Sequence, residues 1–106
     1  MKDAVQTVTI KMIIDEVKSY QSDADLDLIQ RAYEFAKSAH EGQTRISGEA
    51  YIIHPLSVAR ILTLLKIDDV TISAAILHDV VEDTTYTLEE MGKQFGSEVA
   101  MLIDGV

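Results

Sequence analysis

His78 and Asp79 are adjacent, and Glu82 and Asp83 follow one helical turn later, in the stretch Ala74-Ala75-Ile76-Leu77-His78-Asp79-Val80-Val81-Glu82-Asp83. On a helix at about 100° per residue these four side chains fall within an arc of roughly 140°. Ala74, Ile76, Leu77, Val80 and Val81 take most of the remaining surface, so such a helix should be largely buried. An ionisable stripe at the edge of a core is costly unless something compensates. A bound cation is one compensation; exposure at the end of the helix is the other. An imidazole beside a carboxylate suits a borderline divalent ion such as Mn²⁺, Fe²⁺ or Zn²⁺. Two ligands do not make a site, and the remaining histidines are His40 and His54. His54 precedes Pro55, so it stands at a helix entrance with a constrained backbone, which could aim its ring into a bundle.

The elements that must position these groups are all helical. Ile10, Ile13, Ile14 and Val17 recur at helical spacing, predicting an amphipathic helix over about residues 7–20. After a polar break at Tyr20-Gln21-Ser22-Asp23, Asp23 or Asp25 is suited to cap a second helix reaching about His40, with Gly42 as its stop. Its apolar face comprises Leu28, Ile29, Ala32, Tyr33, Phe35, Ala36 and Ala39. Residues 42–53 read as a loop with a short extended piece. Pro55 is suited to open a third helix, running to Lys66. Asp68 or Asp69 caps a fourth, running to about Val81. Thr87-Leu88-Glu89-Glu90 has the form of a capping box, Thr then Glu three residues on. That helix ends at Gly96, and Ser97 starts another. No strand-like alternation, repeat or low-complexity tract is present. The fold class expected is an all-α bundle in one domain.

Several blocks then resemble one known family, in order and at its spacing. Ala39-His40-Glu41-Gly42-Gln43-Thr44-Arg45, Ser47-Gly48-Glu49 and Tyr51-Ile52-Ile53-His54-Pro55 resemble the opening of the hydrolase domain of RelA/SpoT-type alarmone enzymes. Leu77-His78-Asp79-Val80-Val81-Glu82-Asp83-Thr84 resembles its central HD motif and the Glu-Asp pair after it. Phe95-Gly96 through Leu102-Ile103-Asp104-Gly105-Val106 resembles the following segment. The likeness covers roughly residues 25–106.

The resemblance implies an HD-superfamily helical fold that removes the 3′-diphosphate of guanosine tetra- or pentaphosphate in the stringent response. The products would be GDP or GTP and pyrophosphate. It implies Mn²⁺ held by His54, His78, Asp79 and a further Asp on a later helix, beyond Val106. Asp104 is not given that role, because its Asp-Gly-Val context matches an earlier family segment. Residues 1–106 would then be one partial domain, cut at its C-terminal end. Glu82 and Asp83 would assist the attacking water, either serving as base. Arg45 and Ser47 lie in the loop that meets the nucleotide, where a planar guanidinium can stack on a base or fork onto phosphate. The family commonly has a second basic residue where Ile46 stands and proline where Ala50 stands. His40 reads as a histidine behind the ligands or at a helix end.

Composition limits the alternatives. Nine basic and eighteen acidic residues leave a formal charge of −9, which excludes nucleic-acid binding by bulk electrostatics. A phosphate-rich small molecule would be repelled as well, unless a cation or local Arg and Lys offset the field. No cysteine is present, which excludes disulfides and thiolate metal sites and fits a reducing, cytoplasmic setting. No stretch is apolar and long enough to span a membrane. Two other readings stay open: an HD phosphohydrolase for another nucleotide, and an inactive or regulatory piece of a bifunctional alarmone synthetase/hydrolase. A bundle cut within its domain would expose apolar surface and favour self-association.

Overall fold

The computed structural model describes residues 8–41 and 52–105. These residues form six helices: α1 (Ile10–Tyr20), α2 (Leu26–Ala39), α3 (Ile53–Leu64), α4 (Asp69–Asp83), α5 (Leu88–Phe95) and α6 (Ser97–Asp104). The all-α expectation holds, with no strand among the described residues.

Local capping chemistry sets most of the boundaries. The Thr9 hydroxyl accepts from the Met12 amide at the start of α1, and the Asp25 carboxylate accepts from Leu28 at the start of α2. The Thr87–Glu90 capping box forms in both directions at α5. Gly96, at φ 102°, ends α5 in a conformation that a side chain would resist, and α6 starts directly from it.

Three expected boundaries shift. The third helix opens at Ile53, two residues before Pro55. The first four amides of a helix have no intrahelical acceptor, so proline is accommodated anywhere in that turn, not only at its first position. The same helix stops at Leu64 rather than Lys66. Lys66 adopts φ 58°, its amide donates to the Thr63 carbonyl and the Ile67 amide to Leu62, the paired bonds of a Schellman ending. Finally, α4 continues past Val81 to Asp83, so Glu82 and Asp83 lie inside its last turn.

α4 is the central helix. It packs against α2, α3 and α6, while α1 lies across α2 and α3, and α5 pairs with α6. Ile72, Ile76, Leu77 and Val80 of α4 are fully buried, together with Ile13, Val17, Ile29, Ala32 and Met91. Tyr33 and Phe35, expected in the core, are partly buried and pack on its edge. Burial of this kind contributes on the order of 25 cal/mol per Å² of apolar surface, which fixes α4 and whatever it carries.

The link between α3 and α4 is tied to α1 by Tyr20, whose hydroxyl donates to the Ile67 carbonyl. Burial, and then the negative charges of Glu16, Asp68 and Asp69, raise the Tyr20 phenol above its ordinary value of 10.0. Because the folded protein holds this proton more tightly, the phenol's contribution to stability is fully present below pH 10. It is lost as pH rises through the raised folded-state value. Tyr20→Phe is expected to cost about 1 kcal/mol of stability at neutral pH, measured by urea denaturation. It should also remove part of the decline above pH 10; an unchanged alkaline profile would contradict the assignment.

Candidate metal centre

Three of the sequence-predicted residues line one cavity. His54 comes from the first turn of α3, and His78 and Asp79 from the C-terminal half of α4. The cavity holds about 310 Å³, and Pro55, Val58, Leu62, Ala74, Ala75 and Leu102 give it apolar walls. α6 contributes the Leu102 wall, so three helices shape the space. His54 is on the exposed side; His78 and Asp79 are partly buried, at 25% and 20% side-chain exposure.

His78 is surrounded by carboxylate. Its Nδ1 lies 3.3 Å from Asp79 Oδ1, and its Nε2 lies 3.3 Å from Glu82 Oε2, one turn along α4. A neutral imidazole donates from one nitrogen, so in that form the two contacts cannot both be hydrogen bonds. A second, smaller space of about 160 Å³ also meets His78 and is lined by Val81, Glu82, Leu88, Ile103 and Asp104. Asp104 was left outside the ligand set by sequence reasoning, yet it shares this space with His78. That neighbourhood depends on the position of α6 against α4, a tertiary contact with no local trace in sequence.

Glu82 is largely exposed and Asp83 is exposed, both at the end of α4. Carboxylates there oppose the negative end of the helix dipole, and no basic residue stands in that turn to offset them. The ionisable stripe thus combines the two compensations considered from sequence. Its Glu82-Asp83 end faces solvent, while His78 and Asp79 face a cavity.

The donor chemistry of this centre, two imidazoles and carboxylates, fits a borderline divalent ion. Among the described residues, however, no three His, Cys, Asp or Glu groups are gathered closely enough to hold one. Arg45 and Ser47, expected to meet the nucleotide, lie outside the described residues, as does Gly42. His40 caps the C-terminus of α2 and is buried, in keeping with a helix-end histidine.

The HD-domain family matches residues 32–106, and the chain belongs to that family. HD domains are metal-dependent hydrolases. The chain is 52% identical over 90 residues to a Myxococcus xanthus protein named GTP pyrophosphokinase. It is 49% identical over 92 residues to the Vibrio cholerae guanosine-3′,5′-bis(diphosphate) 3′-pyrophosphohydrolase. It is 48% identical over 90 residues to the Escherichia coli bifunctional (p)ppGpp synthase/hydrolase SpoT. These alignments take in 85–87% of this chain but 12–13% of each relative. The chain therefore spans a small part of those proteins, and its likeness to the RelA/SpoT type holds over most of its own length. No helix among the described residues is long and apolar enough to cross a membrane.

Proposed function

We propose that this chain is a metal-dependent hydrolase domain acting in the cytoplasm on the 3′-diphosphate of guanosine tetra- or pentaphosphate. It would release pyrophosphate and leave GDP or GTP. What supports this reading is that His54, His78 and Asp79 line one cavity, in a chain half identical to relatives named for that hydrolysis. The residues to hold the ion are His54, His78 and Asp79, with a further carboxylate completing the set from a later helix. When bound, a divalent cation such as Mn²⁺ supplies a positive focus for phosphate and activates water.

The chain's own side chains do the rest. A carboxylate oxygen of Glu82 or Asp83 accepts the proton of the attacking water, and their exposure leaves that proton a path to solvent. The apolar walls around Val58, Leu62 and Ala75 exclude water from one side of the centre, which strengthens electrostatic contacts inside it. Arg45 and Ser47 position the guanosine nucleotide. An acidic protein needs such local positive groups to hold a polyphosphate at all. The test is to incubate the chain, extended through the later helix that completes the ligand set, with Mn²⁺ and guanosine tetraphosphate, following pyrophosphate and GDP; a rate no higher than in chelator would sink the reading. A panel of other nucleotides under the same conditions separates an alarmone hydrolase from an HD phosphohydrolase of different substrate.

Self-association is part of this proposal. Among the described residues, Ile53, Ile61, Leu64, Leu65, Met101 and Leu102 expose large apolar surface on α3, its C-cap and α6. Exposed apolar surface of this kind seeks cover, and a second copy is the partner always at hand. Sedimentation velocity at rising concentration should show growth of a larger species. The double change Leu65→Glu, Met101→Glu should suppress it.

A further inference from the structure

α4 ends in a way that local rules do not favour. Its last turn carries two carboxylates, Glu82 and Asp83, has no basic residue, and is followed by Thr84 in an extended conformation rather than by glycine. Carboxylates at this end meet the negative pole of the helix, and the final carbonyls have no intrahelical donors. Something outside the helix must hold the turn.

Thr84 and Tyr86 do so in series. The Thr84 amide donates to the Val80 carbonyl at 3.1 Å, and the Thr84 hydroxyl donates to the same carbonyl. That hydroxyl oxygen in turn accepts from the Tyr86 amide at 3.2 Å. The Tyr86 ring then packs edge-on against Phe35 of α2, with centroids 4.7 Å apart. Phe35 is itself braced by Phe95 at 5.5 Å. One hydroxyl therefore works as donor and acceptor at once, closing the last turn of α4 and joining it to a loop that is anchored on α2. Removing it breaks both bonds together.

We propose that Thr84 and Tyr86 are positioning residues, which hold the acidic last turn of α4 so that Glu82 and Asp83 face the reacting water. This rests on the hydrolase reading above and adds to it two groups that do not touch substrate. The chemistry is sensitive to such support, because a displacement of about 1 Å in a reacting group can cost on the order of 10²-fold in rate.

The test compares Thr84→Val with Thr84→Ser, and Tyr86→Ala with Tyr86→Phe, in manganese-dependent hydrolysis of guanosine tetraphosphate. Thr84→Val and Tyr86→Ala should each lower kcat about tenfold or more, with KM and Mn²⁺ affinity within about twofold. Thr84→Ser and Tyr86→Phe, which restore the hydroxyl and the ring, should recover kcat. Amide exchange in the metal-free chain supplies a readout that needs no activity: faster exchange should be confined to residues 82–86. Unchanged kcat in both disruptive variants overturns the proposal. So does a parallel loss of KM, metal affinity and protection along the whole of α4, which marks general unfolding. If the chain extended through the later helix and its His78→Ala variant are equally inactive, the hydrolase reading fails instead. Exchange then decides alone, and unaltered protection at residues 82–86 overturns the positioning role.

Discussion

His78→Ala is expected to abolish manganese-stimulated release of pyrophosphate from guanosine tetraphosphate, by on the order of 10²-fold or more. The size of the effect follows from where the ring stands. His78 lines both the cavity shared with His54 and Asp79 and the smaller space shared with Glu82 and Asp104. Its two nitrogens each face a carboxylate. Removing the imidazole takes away a nitrogen ligand and leaves Asp79 and Glu82 as mutually repelling carboxylates on the same helix. The fold should survive, because His78 is partly exposed and the large fully buried side chains of α4 are Ile72, Ile76, Leu77 and Val80. Melting of the variant should therefore stay within a few degrees of the parent while Mn²⁺ binding and hydrolysis are lost. A His78→Ala protein that keeps its manganese-stimulated rate would remove this histidine from the centre and the hydrolase proposal with it.

Local chemistry was readable from the chain, and tertiary chemistry was not. The capping box at Thr87 needs only residues three apart, so it reads directly from four letters. The caps at Asp25 and the break at Gly96 are of the same kind. Pro55 shows the limit of such rules. Proline is permitted throughout a first turn, so its presence marks a helix start without saying which residue opens it. The His78-Asp79 and Glu82-Asp83 pairs are visible as a stripe because helical geometry alone places them on one face. That His54 shares a cavity with His78 and Asp79 depends on how α3 leans on α4, and spacing in sequence carries no trace of that. Family resemblance bridged the gap where geometry could not. Asp104, kept out of the ligand set by its local context, lines a space with His78 through the packing of α6 on α4, which spacing in sequence does not show. Asp69 escaped in a third way. Sequence marked it as one of two candidate helix caps, whereas the cap is Asp68, and the Asp69 carboxylate reaches Gln21 and Asp25, more than forty residues away, as well as the adjacent Val70 amide.

Those partners set the second large effect. Asp69 is buried at 7% exposure in the first turn of α4. One of its carboxylate oxygens, Oδ2, accepts from the Asp25 amide. The other, Oδ1, accepts from Gln21 Nε2 at 3.2 Å and from the Val70 amide at 2.8 Å. The Asp69 amide donates back to Gln21 Oε1 at 3.0 Å, so the two residues are bonded reciprocally. The break between α1 and α2 is thereby fastened to the start of the central helix. Its negative charge also sits at the positive end of α4, where the dipole favours it. Asp69→Ala would leave the Asp25 amide and one end of Gln21 without their partner in a part-buried site. An abandoned buried donor costs about 1–3 kcal/mol, and the bond to a charged acceptor is lost as well. The expected loss is about 3 kcal/mol, or a fall in melting temperature of roughly 15 °C for a domain of this size. Asp69→Asn should fall between the two, because its amide keeps one acceptor but presents donors where the carboxylate had none. Thermal denaturation followed by circular dichroism measures both. If Asp69→Ala melts within about 3 °C of the parent, the fastening contributes little, and packing alone holds α4 in register with α2.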